Sequence, residues 1–115
     1  MSIATLYNVP GTQQELAWWS FAHAVHHLDI INTVYFRSNI ALAQYILDPF
    51  DPSDENNMNN WAYQHQVMHQ QMDALLGIAG FDLSSVDWKE PGERAAWIQL
   101  NAAEHYQAST ILGIG

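Results

Sequence analysis

The chain has 115 residues, 49% of them hydrophobic, and carries three Lys or Arg against twelve Asp or Glu for a formal charge of −9. That balance excludes nucleic-acid binding through phosphates, which needs clustered basic side chains, and works against anionic membrane surfaces. No cysteine is present, which excludes disulfides and thiolate metal sites.

A chain of this length and composition folds as a single domain over residues 1–115. Residues 1–11 read as an extended arm, apolar at Ile3, Leu6 and Val9 and closed by the turn signal Pro10-Gly11. Short strands remain open in this arm. Its start lacks the charged and apolar regions of a signal peptide, and no run approaches the roughly 20 apolar residues of a membrane span.

Thr12 and Glu15 match a capping box, so a first helix begins at Gln13. Leu16, Trp19, Ile30 and Val34 recur at helical spacing with His23 and His26 on the same stripe. A second stripe, Trp18, Phe21, Val25 and Leu28, predicts burial on both sides. The pattern runs on through Tyr35, Ile40, Leu42 and Leu47, with a break expected near Ser38-Asn39. Two Asp-Pro steps make residues 48–57 a linker. A second helix starts at Glu55 or Asn59 and ends at Leu76, closed by Gly77 and Gly80. Its apolar positions Trp61, Met68, Met72 and Leu75 form with His65 a heptad seam, and His69 lies beside it. Residues 80–90 read as an ordered loop pinned by Phe81, Leu83, Val86 and Trp88, with Asp and Ser supplying turn hydrogen bonds. Pro91 opens a third helix that runs to Leu112, with Trp97, Leu100, Ala103, Ala108 and Ile111 inward. No internal repeat stands out. The expected fold is all-α, a small three- to four-helix bundle with an N-terminal arm and an ordered 80–90 loop.

Chemistry concentrates in the histidines. His23 with His27, and His65 with His69, are spaced i, i+4, which places both imidazoles of a pair on one helix face. If the two helices are antiparallel neighbours, the four rings reach a Zn²⁺ or similar ion, with Glu104, His105 or Asp29 able to replace one of them. The spacing matches neither H-E-x-x-H nor the E-x-x-H pairs of di-iron bundles. The competing reading is a scaffold, in which buried imidazoles hydrogen-bond to Glu104, to Asn or Gln and to carbonyls, and set helix register. Acid–base pairs of Asp29, Asp73 or Glu104 with histidine are too common in acidic helical proteins to define a catalyst, and no phosphate loop or nucleophile elbow occurs. Tryptophan and methionine at helical spacing read as core.

Four strings, WWSFAHAVHHLDI, YILDPFDP, WAYQHQVMHQQMDALLGIAGFDLSSVDW and NAAEHYQASTILGI, together resemble small proteins of tailed bacteriophages and prophages over about residues 13–114. The resemblance implies a virion component or assembly factor made in the host cytoplasm, and it carries no catalytic residue. The leading expectation is therefore a structural, non-enzymatic protein without a cofactor, acting as an oligomer or in many copies. It would bind itself and other virion proteins, but neither nucleic acid nor membrane. An amide-rich surface with five tryptophans suits such contacts. The expected contact residues are Ile3, Leu6 and Tyr7 of the arm, Phe50 of the linker, and Ile111, Leu112 and Ile114 of the tail. The alternative is a metal-binding bundle, with or without enzymatic activity, holding zinc or another transition metal at His23, His27, His65, His69 and Glu104.

Overall fold

A computed structural model describes residues 3–42 and 50–114. Three helices dominate: α1 Gln13–Ser38, α2 Glu55–Leu76 and α3 Pro91–Leu112. No strand occurs among the described residues. No helix among the described residues is long and apolar enough to cross a membrane.

The helix ends follow local chemistry. Thr12 Oγ1 accepts from the Glu15 amide at 3.1 Å, Asp54 accepts from the Asn56 and Asn57 amides, and Glu90 caps α3 with Pro91 in its first turn. All three helices end on a left-handed residue. For α2 and α3 it is glycine, Gly77 and Gly113; for α1 it is Asn39 at φ 59°. That residue stops α1 at the expected break. Leu47, and with it any continuation of the helix there, lies outside the described residues. The arm is not extended: Ile3–Tyr7 coil into a 3-10 turn, because Leu6 is drawn under α1 and α3 against Ala22 and Ala102. Its carbonyl accepts from Trp19 Nε1 at 3.2 Å.

The helices are parallel, not antiparallel. Trp19, Trp61 and Trp97 meet at one level, with ring centroids 6.0 and 5.6 Å apart. Further along, His23 meets His65, and His27 meets His69. At the far end Arg37 Nη1 donates to the Leu112 carbonyl at 2.6 Å. Position therefore rises in the same sense along all three. Residues 39–54 and 77–90 make this feasible. Each connection, at roughly 3.3 Å per residue, outreaches a 22-residue helix of about 33 Å. The three N-termini share one end, where Glu15, Glu55 and Glu93 sit in the first turns and complement the aligned helix dipoles.

A repeat missed at the sequence level accompanies this arrangement. Trp19-x₃-His23-x₃-His27, Trp61-x₃-His65-x₃-His69 and Trp97-x₃-Asn101-x₃-His105 place like residues at like heights. The tryptophans form one core with Met58, Leu83 and Ile98, and Ile30, Val34, Met72, Ala108 and Leu112 form another beyond the histidines. The 80–90 loop docks as expected through Leu83 and Trp88, while Phe81 is partly exposed. The stripe on α2 is not a heptad seam. Its buried positions Met58, Trp61, Ala62, His65, His69, Met72 and Asp73 follow the 3.6-residue period, leaving Leu75 exposed. The second stripe of α1 is not buried either: Trp18, Phe21 and Leu28 lie on the surface.

Candidate metal centre

Each helix contributes rings from one face to the space between the two apolar cores. No Cα of α1 comes within 8 Å of a Cα of α2, so the histidines bridge the two backbones. Trp19 stacks on His23 at 4.6 Å and Trp61 on His65 at 4.9 Å, one helical turn below in each case. The indoles thus fix the planes of the first pair of imidazoles.

The Nε2 atoms converge. His23 and His27 are 3.1 Å apart, His27 and His65 3.3 Å, and His65 and His23 3.2 Å, closing a triangle. His105 Nε2 joins His23 at 3.1 Å, and His69 Nε2 joins His27 at 3.3 Å. All five residues are at most 4% exposed. One ligand atom from each can be chosen so that all lie within 4.8 Å of one another. Burial, reinforced by the neighbouring imidazoles, pushes His23, His27, His65 and His105 well below the ordinary histidine range. Burial takes His69 to about 4, although the Asp73 carboxylate pulls the other way. Five neutral imidazoles therefore face one point at neutral pH.

The outward nitrogens of two rings are held. His69 Nδ1 donates to Glu104 Oε1 at 3.4 Å. His105 Nδ1 lies 2.6 Å from His26 Nδ1, and His26 Nε2 lies 2.7 Å from Ser109 Oγ. With its proton on Nδ1, His105 donates to His26, which donates onward to Ser109. That tautomer turns the Nε2 lone pair of His105 inward. Outer partners of this kind orient metal-bound imidazoles in known sites.

The structure joins all four histidines expected from the sequence and places His105 with them. Glu104 stands one step out, behind His69, because neighbouring helix positions point about 100° apart and α3 turns His105 inward. Asp29 is exposed and accepts from Thr33. His26, unassigned at the sequence level, supports His105; its i+3 relation to His23 was the available signal. Of the expected contact residues only Ile111 is exposed. Leu6 and Leu112 are buried, and Ile3, Tyr7, Phe50 and Ile114 pack partly against the cores.

Glu104 is fully buried and also accepts from the Phe81 amide at 3.3 Å. Burial and Glu104 push Asp73 up to about 8, so it keeps its proton at neutral pH and shares it with Glu104 in a side-chain hydrogen bond. Gly80 makes room for this pair. A Cβ there would run into Asp73 Oδ2 and lie 3.0 Å from Glu104 Oε1. Gly80→Ala is accordingly expected to cost about 1–3 kcal/mol, measured by denaturant unfolding. Wild-type stability in that variant would show that the pair has no fixed position.

No protein-family model matches the chain, and no curated protein or solved structure matches it.

Proposed function

We propose that this protein is a metal-binding helical bundle in which five histidines hold one divalent transition-metal ion, zinc or another ion of similar ligand preference, and tie three parallel helices together. The observation that carries this reading is the mutual approach of the ring nitrogens. An imidazole nitrogen has one in-plane position, occupied by a hydrogen or a lone pair. Three nitrogens in mutual contact therefore form at most one well-directed N–H···N bond. Hydrogen bonding accounts for two of the five Nε2 contacts at best. A cation accounts for all of them, since it takes one lone pair from each ring. The donor set supports the same class, because neutral imidazoles suit zinc, iron, nickel and copper.

A cavity of about 10 Å³ lined by His27, Met68 and Met72 borders the centre. That is too small for an organic substrate, which favours a structural or electron-carrying ion over a hydrolytic one. Native mass spectrometry of protein purified without tag histidines or chelator is expected to give one metal ion per chain. His27→Gln and His65→Gln are expected to abolish it. A metal-free wild-type chain after exposure to zinc, cobalt, nickel and iron(II) salts would overturn the proposal.

A second reading, a many-copy structural protein of a phage particle, draws support from the outer face of α1. Trp18, Phe21, Val25, Leu28 and Tyr35 line it at alternating spacings of three, four and seven, with Asn32 completing the series. Phe36 beside them is 90% exposed. A face so aromatic and so poor in charge suits burial against another protein. Under this reading Leu28→Glu weakens self-association or particle incorporation, read by sedimentation, while leaving helicity and metal content unchanged. Equal sedimentation and incorporation of variant and wild type would count against that face. The two readings are compatible, since an internal metal tie would stabilise a subunit.

A further inference from the structure

The three-helix repeat has six inward positions at the level of the centre, and five are histidine. The sixth is Asn101 on α3, at the height of His23 and His65. Asn101 is 0% exposed and its amide reaches the His23 ring, but neither its oxygen nor its nitrogen finds a hydrogen-bond partner of good geometry. A buried, unsatisfied primary amide is costly and calls for an occupant.

The distances among the histidines indicate where that amide stands. In an octahedron, opposite ligands are about 1.4 times as far apart as adjacent ones, whereas a tetrahedron has a single ligand–ligand distance. The five residues have short separations of 3.1–3.3 Å and an upper limit of 4.8 Å. Five ligand atoms exceed the four corners of a tetrahedron, and this spread fits five of the six corners of an octahedron. The repeat stacks two triangles, His23, His65 and Asn101 below His27, His69 and His105. His27 is adjacent to His23, His65 and His69 through Nε2, and its ring lies 4.5 Å from that of His105. Four neighbours leave one corner opposite His27, and only Asn101 in the lower triangle fills it.

We propose that Asn101 supplies the sixth ligand, its amide oxygen, and that the centre is a six-coordinate site of five imidazoles and one amide. This inference rests on the metal-binding reading and deepens it. A neutral six-coordinate set favours ions that prefer octahedral geometry, such as manganese(II), iron(II), cobalt(II) and nickel(II), over zinc, whose protein sites are mostly tetrahedral. It also leaves no open position for a substrate or an activated water.

The test is cobalt(II) loading of the full chain, read by visible absorption and by X-ray absorption at the metal edge. Wild type is expected to show the weak bands of six-coordinate cobalt and six nitrogen or oxygen neighbours. Asn101→Ala is expected to bind one cobalt with the more intense bands of lower coordination and at least tenfold weaker affinity. Asn101→His, which completes six imidazoles, restores the weak bands and keeps the test valid should the alanine variant fold poorly. Failure of wild type to bind any ion overturns the metal reading itself. One bound cobalt whose spectrum is four- or five-coordinate, and unchanged in Asn101→Ala and Asn101→His, overturns the sixth ligand alone.

Discussion

Removing the ion with a chelator is expected to lower the melting temperature by roughly 15–20 °C. A ligand that binds only the native state, at a free concentration about 1,000 times its Kd, contributes about 4 kcal/mol, and a domain of this size loses about 4–5 °C per kcal/mol. The effect should be large because no Cα of α1 comes within 8 Å of α2. Without the ion, at most two N–H···N bonds can form among the five buried Nε2 atoms, and the remaining contacts go unsatisfied. His65→Ala is expected to reproduce the loss without chelator, since His65 stacks on Trp61 and touches both His23 and His27. His26→Ala should be milder. It leaves every inward nitrogen in place and removes the partner of His105, an outer-partner loss that typically weakens affinity 10- to 100-fold. Calorimetry across metal-loaded, chelated and variant proteins checks the series. Identical melting of loaded and chelated wild type would mean that the histidines act as scaffold alone.

Acid is expected to destabilise the protein steeply between pH 6.5 and about pH 4. The sign follows from proton counting. In the unfolded chain histidine binds a proton near pH 6.5, whereas in the fold burial holds all six below that value, His69 at about 4. Between those values the unfolded state carries more protons, so stability is full above pH 6.5 and is lost as pH falls. His69 alone corresponds to about 3 kcal/mol. Asp73 acts in the opposite sense. Its carboxyl is raised to about 8, so its contribution is present at low pH and declines as pH rises through that value. One carboxyl against six imidazoles decides the direction below pH 6.5 and leaves a shallow optimum near pH 6.5–7. A bound ion steepens the acid limb, because protons compete for the same lone pairs. Denaturant unfolding at pH 8, 7, 6, 5 and 4 reads this profile. A flat result would mean that the imidazoles are solvated rather than buried.

Much of the fold was legible because its signals are local. The Thr12 cap, Pro91 in a first turn and Gly77 at a helix end each satisfy or terminate backbone hydrogen bonds within a few residues, whatever the rest of the chain does. The same holds for the histidine pairs, since i, i+4 spacing puts two rings on one face in any helix. The docking of the 80–90 loop was legible from Leu83 and Trp88, apolar side chains within a run of turn formers.

Helix direction was not a local property. Connections 39–54 and 77–90 can fold back or cross over, and the successive matched levels, from Trp19 with Trp61 and Trp97 through His23 with His65 and His27 with His69 to Arg37 with Leu112, select the parallel arrangement. The repeat that encodes these levels is three residue types spread over residues 19–105, too sparse to see until the helices stand side by side. The choice between Glu104 and His105 turned on the rotation of α3, which packing against α1 and α2 sets. Six histidines, no cysteine and two turn-spaced pairs thus limited the chemistry to imidazole sites from composition and spacing alone. Which nitrogens meet, which carboxylate stands behind them and why Asn101 faces them were settled by tertiary packing, because those contacts join residues up to 82 positions apart.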